Sequence, residues 1–248
     1  MMLSFLFLWT LCIPQTGEVS PEVWVQRPTV QQEATSVWRT IHDIAFLEGQ
    51  GYTVNLPTHA IIDSLIAKSK RGEFGNQDFP AIYQLLEQEV FDPQDYQAAH
   101  AKIMEELPQL HGMLKQIESE RADWPWEFKL YDSYEVVLTL YGSGGSYDPQ
   151  IGTITLMTTP EGDFKKYDQP SHTIIHEITH LGIEQTLIQP LKVSHGTTER
   201  LVDQFVLLMF GDQLPGYQIQ EMGDVRLDDQ LRKKGDLKNV PEILKGLE

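Results

Sequence analysis

Cysteine is nearly absent from this chain. Cys12 is the one thiol among 248 residues, and it lies in an apolar stretch at the N-terminus. A disulfide framework within the chain is therefore excluded, and a cysteine ligand for a metal site is disfavoured. Because a chain of this length can bury a substantial core without cross-links, we expect one large domain or two lobes.

Basic residues are also scarce. The sequence has 19 lysines and arginines against 36 aspartates and glutamates, which gives a formal net charge of −17. A chain with this charge repels phosphate groups, so nucleic acid and anionic membranes are poor candidates as partners. The charge favours solubility and is compatible with a cationic substrate, but it does not identify one.

Long hydrophobic runs are missing as well. The apolar stretch at residues 3–13 is too short to span a bilayer as a stable helix, so we expect no stable membrane span in the mature chain. Its length is that of a signal peptide, and we predict that residues 1–18 are cleaved, which would imply export to the periplasm or secretion. No Lys or Arg precedes the run and no Ala-x-Ala site follows it. The alternatives are a mis-assigned start or an apolar strand of the mature fold, and the protein would then be cytoplasmic.

Residues 19–122 are predicted to form a helical N-terminal half. Apolar residues recur at helical spacing from Thr29 to about Leu47. Thr58 is the predicted N-cap of a further helix. A later helix begins near Gln94, and Pro108 should break or kink it.

Residues 123–248 differ in character. Segments 134–141 and 151–157 are rich in aromatic and β-branched residues, which is typical of strands. Residues 142–149 between them are rich in glycine and serine and predict a flexible loop. The predicted fold class is α+β and mainly α, with a catalytic half that combines a small β-sheet and an active-site helix.

A candidate metal motif follows the last of these predicted strands. Residues His176 to His180 read His-Glu-x-x-His. On a helix, residues four apart lie on one face about 6 Å apart along the axis, so two imidazoles can bind one ion. Zinc accepts imidazole nitrogens, and a catalytic site leaves one position for water. Glu177 follows the first ligand and can take a proton from that water.

A second predicted helix supplies a carboxylate. Glu199 comes nineteen residues after His180, and Asp203 lies one turn further on the same face. A glutamate from a second helix is a natural third ligand, and the aspartate can orient a ligand histidine. Glu184, the alternative in the first helix, would lie about 12 Å along the axis from His176, too far to share an ion.

His-Glu-x-x-His followed by Glu-x-x-x-Asp resembles the gluzincin metallopeptidases, the thermolysin-like group, over about residues 170–210. The resemblance implies a zincin-like catalytic half that hydrolyses peptide bonds through a zinc-bound water. It implies Glu177 as general base and acid, and Asp203 as the hydrogen-bond partner of a ligand histidine. It also implies a strand that pairs with extended substrate, and residues 151–157 are the predicted one. The implied Zn²⁺ ligands are His176, His180 and Glu199.

The oxyanion donor is the open position in this resemblance, because no histidine lies beyond His195. The candidates are Tyr217, Tyr167, His195 and His172, and Tyr217 is preferred because it lies in the loop region after the second helix. The expected partner is a peptide or protein substrate. Two alternatives stay open: a catalytically inactive, zinc-stabilised binding protein, and a zinc hydrolase that acts on a non-protein amide.

Overall fold

The computed structural model describes residues 21–165 and 168–247. The predicted signal peptide, residues 1–18, and Tyr167 lie outside this part of the chain. Within it, the fold is α+β and mainly α, which confirms the predicted class. No helix of the described part is both long enough and apolar enough to cross a bilayer.

Four strands of the described chain form one mixed sheet in the order β1-β2-β4-β3. β1, β2 and β4 run parallel, and β3 runs antiparallel to β4. β3 is therefore the outer strand on one side and β1 on the other. The strands are β1 (Glu22–Gln26), β2 (Ser133–Thr139), β3 (Gly145–Asp148) and β4 (Thr153–Met157).

Helices cover both faces of the sheet and carry the remaining core. Those of the described residues are α1 (Val30–His42), α2 (Ile44–Gly49), α3 (Ala60–Lys70), α4 (Phe79–Leu85), α5 (Gln97–Arg121), α6 (Pro170–Ile183), α7 (Gln189–Leu191), α8 (His195–Phe210), α9 (Arg226–Gln230) and α10 (Val240–Lys245). α1 starts where the sequence predicts, because the Thr29 side chain caps it and Gln32 completes a capping box.

Three local predictions are wrong. The helix predicted over Thr29–Leu47 is interrupted at Asp43, which ends α1 and precedes α2. The N-cap of α3 is His59 rather than Thr58, since the His59 ring accepts the hydrogen bond from the Ile61 amide. Pro108 does not break α5. The helix continues through it, and buried apolar side chains, including Ile103 and Leu110, pack on both sides of the proline.

The hydrophobic core crosses the border near residue 122 that the sequence suggests. α5 contacts both α6 and β1, and its buried residues belong to the same cluster as those of the sheet, α6 and α8. A second, smaller cluster lies among α1, α3 and α4. β1 and α5 therefore support α6, although they precede it in the chain.

A buried carboxylate joins the smaller cluster to the sheet. Glu33 of α1 is fully buried. Its Oε1 accepts hydrogen bonds from the Tyr96 hydroxyl (2.6 Å) and the Leu140 amide (2.8 Å), and its Oε2 accepts one from Thr139 (2.5 Å). Burial raises the pKa of Glu33, although these hydrogen bonds act in the opposite direction.

Candidate metal centre

The His-Glu-x-x-His sequence lies in α6, which is almost entirely buried. Pro170 is the first residue of α6. A backbone N–H at this position would have no acceptor within the helix, so proline costs no hydrogen bond there. Near its end, Gly182 lies under the ring of Phe128, and a Cβ built there would come within 2.1 Å of that ring. The close packing holds α6, and with it both histidines, against the core.

The predicted ligands come together in one triangle. His176 Nε2 and His180 Nε2 are 3.1 Å apart. Oε2 of Glu199 lies 3.3 Å from the first nitrogen, and Oε1 lies 3.2 Å from the second. Donors about 2.0–2.1 Å from a tetrahedral ion are separated by about 3.3 Å, so the geometry of this triangle fits zinc. In the described part of the chain, His176, His180 and Glu199 are the group identified as able to hold a metal ion.

Asp203 lies behind His176, as the resemblance implies. Its Oδ1 is 3.1 Å from Nδ1 of His176, and its Oδ2 accepts a hydrogen bond from the Gln220 amide at 2.7 Å. The Gln220 side chain in turn donates to Oε2 of Glu199 at 2.9 Å. Gln220 therefore holds two of the carboxylates of the site, a role that the sequence reasoning missed.

Tyr217 also lies behind His176. Its hydroxyl is 2.7 Å from Nδ1 of His176 and donates to Oδ1 of Asp203 at 2.7 Å. An oxygen that donates to Asp203 accepts the Nδ1 proton, which makes Nε2 of His176 the ring nitrogen that faces the triangle. Tyr217 is buried and does not line the cleft that opens over Glu177 and the two histidines. This position argues against the oxyanion role predicted for Tyr217 and gives it an orienting role.

The buried charges act on one another. Burial alone would lower the pKa of His176, but its contacts with Asp203 and Glu199 and the charge of Glu177 raise it to about 10. Burial raises the pKa of the Glu199 carboxyl, yet the contacts with His176 and His180 hold it well below its usual range. Three carboxylates thus surround two imidazoles, an excess of negative charge that favours a cation at the triangle.

A tyrosine of β3 covers the second histidine. The Tyr147 ring stacks on His180 with centroids 4.9 Å apart, and its hydroxyl donates to Glu184 at 2.9 Å. Glu184 lies outside the metal-binding group, in agreement with the helical-length argument. Nδ1 of His180 is buried and has no hydrogen-bond partner in the described chain. The stacked ring of Tyr147 therefore supports the orientation of His180.

Glu177 lies against the edge of the sheet. A Cβ built on Gly145 of β3 would be 2.3 Å from Oε1 of Glu177 and 2.8 Å from the Thr173 side chain. Only glycine leaves room for the carboxylate at this point of the strand. β3 therefore lies beside α6. It belongs to residues 142–149, the segment predicted to be a flexible loop. The prediction that residues 151–157 form the strand that pairs with substrate is wrong, because this segment forms β4, which pairs with β2 on one side and with β3 on the other.

A cleft of about 480 Å³ opens over these groups. Glu177, His176, His180 and Glu199 line it, together with residues 143–147, which lead into β3 and form most of it. The helical half supplies the opposite wall through Phe46, Leu47 and Tyr52. Phe46 is 53% exposed, so this wall offers apolar surface to a bound molecule.

Two further polar groups reach the cleft together. Nε2 of His195 lies 3.1 Å from the Tyr52 hydroxyl, and its Nδ1 lies 3.8 Å from Oε1 of Glu199. Among the sequence candidates that the structure describes, His195 alone lines the cleft; His172 is buried beside Tyr217, with their rings 6.0 Å apart. Tyr52 was not predicted, because it lies in the helical half and nothing local marks it as part of a site.

Comparisons with known proteins found no match to any protein-family model, curated protein or solved structure.

Proposed function

We propose that this chain is a zinc-dependent metallopeptidase. The observation that carries the proposal is the triangle of His176, His180 and Glu199 beside Glu177, which packs on the α6 face of the outer strand β3. Two imidazoles and one carboxylate are the donor set of many catalytic zinc sites. Zn²⁺ bound there would supply a Lewis acid that polarises a carbonyl and lowers the pKa of a bound water.

Glu177 is the general base in this proposal. Its carboxylate lines the cleft next to the ligand triangle, where it can accept a proton from the attacking water. The same carboxyl group then donates that proton to the nitrogen that leaves. Gly145 has no side chain, and this leaves room for the Glu177 carboxylate beside β3.

The free edge of β3 is the proposed substrate-binding strand. The Met157 amide donates to the Gly144 carbonyl, so Gly144 and Ser146 direct their hydrogen-bonding groups towards β4. By alternation, the N–H and C=O groups of Gly145 and Tyr147 point away from β4. An extended peptide that pairs with them would run past Glu177, which supports cleavage of a peptide over another amide.

Tyr52 is the proposed oxyanion donor and His195 positions it, because a His195 Nε2–H that donates to the Tyr52 oxygen leaves the Tyr52 O–H free to donate. Both groups line the cleft on the Glu199 side of the triangle, and their mutual hydrogen bond fixes their direction. A donor aimed at the developing negative charge contributes about 3 kcal/mol to catalysis in comparable sites. This assignment makes the helical half part of the active site, since Tyr52 comes from it.

The test uses the purified full chain loaded with zinc. Metal content is measured for the wild type, His176→Ala, Glu199→Ala and Glu177→Gln, and hydrolysis is followed with a library of fluorogenic peptides. We expect about one zinc per chain in the wild type and in Glu177→Gln, and loss of zinc in the alanine variants.

Glu177→Gln should retain zinc and lose about three or more orders of magnitude in kcat/KM, because the amide cannot accept the proton. Glu105→Gln, which changes an exposed glutamate of α5, is the matched control and should cleave at the wild-type rate. Cleavage by Glu177→Gln at the wild-type rate, or zinc retained in Glu199→Ala, would refute the proposal.

A further inference from the structure

The outer strand β3 separates two cavities. Gly145 and Tyr147 face α6, as their approach to Glu177 and His180 shows. Ser146 lies between them, so its side chain points to the opposite face of the sheet. That face also carries Thr155, its partner on β4. The active-site cleft lies on the first face, and a smaller cavity lies on the second.

The smaller cavity has a volume of about 130 Å³ and lies between the sheet and α1. Leu47 and residues 143–146 line both cavities, so the two adjoin each other along the strand. The α1 wall consists of side chains at helical spacing, three and four residues apart, which share one face of that helix. They are Ser36, Arg39, Thr40 and Asp43.

Arg39 is the cation on that wall. Its guanidinium makes no ion pair and no side-chain hydrogen bond with any residue that the structure describes, and the residue is exposed. Asp43, the acid on the same wall, directs its Oδ1 at Nδ1 of His42 (2.7 Å) and makes no ion pair with Arg39. The cavity thus presents a positive charge with open donors, on a chain whose net charge is −17.

We propose that this cavity, which we term the Arg39 subsite, binds an acidic side chain of the substrate; the inference rests on the peptidase function proposed above. A strand added to the free edge of β3 directs alternate side chains to the two faces of the sheet. The substrate side chains that do not face α6 point to the opposite face of the sheet, where the Arg39 subsite lies. A carboxylate there meets the fork of N–H donors that a guanidinium offers.

The subsite predicts a preference at one defined position. The preferred peptide has Glu or Asp one residue away from a side chain that lies in the active-site cleft. In a series of zinc-loaded assays with peptides that carry Glu, Gln or Lys at each position, we expect about tenfold higher kcat/KM for Glu than for Gln at that position. Arg39→Ala should bring the ratio of kcat/KM for the Glu and Gln peptides to about one, and Arg39→Glu should favour Lys.

Arg27→Ala is the matched control. Arg27 is also exposed and follows β1, at the opposite edge of the sheet. Its substitution should leave the preference intact. An equal preference for Glu in the wild type and in Arg39→Ala would overturn the Arg39 subsite and leave the peptidase proposal standing.

A binding measurement tests the Arg39 subsite independently of peptide hydrolysis. The same peptides, labelled with fluorescein, are titrated by anisotropy against zinc-loaded Glu177→Gln, with and without Arg39→Ala. Tighter binding of the Glu peptide that depends on Arg39 would support the subsite even if the wild type cleaves no peptide. No binding of any peptide, or binding that ignores Arg39, would overturn it.

Discussion

Oε1 of Glu177 occupies the space in which a side chain on Gly145 would begin, since a Cβ built there would lie 2.3 Å from it. Gly145→Ala should therefore displace the carboxylate, which is the flexible end of its side chain, rather than the strand. We expect a loss of about tenfold to a hundredfold in kcat/KM with zinc content unchanged, because a shift of about 1 Å is costly at a reacting group. Peptide hydrolysis and metal analysis check this.

Gly112→Ala is the control for that substitution. Gly112 lies on the exposed side of α5, and a Cβ there would meet no atom within 4 Å. The control should keep full activity and gain about 0.5–1 kcal/mol in free energy of unfolding, since alanine favours a helix. Full activity in Gly145→Ala would show that Glu177 does not need its present position.

Tyr217→Phe tests the orienting role of the tyrosine hydroxyl. The variant keeps the ring but removes the oxygen that lies between His176 and Asp203. We expect zinc affinity to fall about tenfold, because such outer partners fix the tautomer and direction of a ligand histidine. Competition with a chelator gives the dissociation constant. Tyr83→Phe, whose hydroxyl bonds only Glu87 on an exposed surface, should bind zinc like the wild type.

Removal of the metal should destabilise the fold. The ligands join α6 and α8, and zinc at a thousand times its Kd adds about 4 kcal/mol to the free energy of unfolding. Thermal unfolding with zinc and with a chelator should give a clear difference in Tm for the wild type. Glu199→Ala should show little difference. An equal Tm for the wild type in both conditions would mean that these side chains bind no zinc.

Glu33 should make the free energy of unfolding depend on pH. Burial raises its folded-state pKa above the usual 4.5, so the folded state holds this proton more tightly than the unfolded state. The contribution is fully present below pH 4.5 and is lost as the pH rises through the folded-state pKa. The wild type should thus lose free energy of unfolding relative to Glu33→Gln as the pH rises, measured by urea unfolding.

Glu105→Gln again serves as the control, because that side chain is exposed and its substitution should leave the pH profile unchanged. A constant difference between the wild type and Glu33→Gln at every pH would contradict the prediction. Glu33→Ala should destabilise at all pH values by about 3 kcal/mol, since it leaves the donors of Tyr96, Thr139 and Leu140 without an acceptor.

The ligand set could be predicted because its geometry is largely local. Two histidines four apart on a helix share one face whatever the rest of the chain does, and Glu199 and Asp203 follow the same rule on α8. The buried, apolar character of α6 was also readable from its sequence. Pairing the two helices was an inference from resemblance, and the structure brings the three ligands together.

The role of Tyr217 and the identity of the outer strand could not be predicted in the same way. Tyr217 contacts His176 across 41 residues of sequence, and a loop tyrosine carries no periodic signal. Residues 142–149 read as a flexible loop because glycine and serine have little strand propensity. Their hydrogen bonds to β4 override that propensity and form β3.

The sequence by itself determined the α+β class and the residues that could hold a metal ion, because helical periodicity and spacing act over a few residues. Only the tertiary structure decided which strand borders the cleft, that Tyr52 of the helical half reaches it, and that Arg39 lies on the far side of β3. These relationships depend on strand order and on contacts between distant segments, which are set by the packing of the whole core.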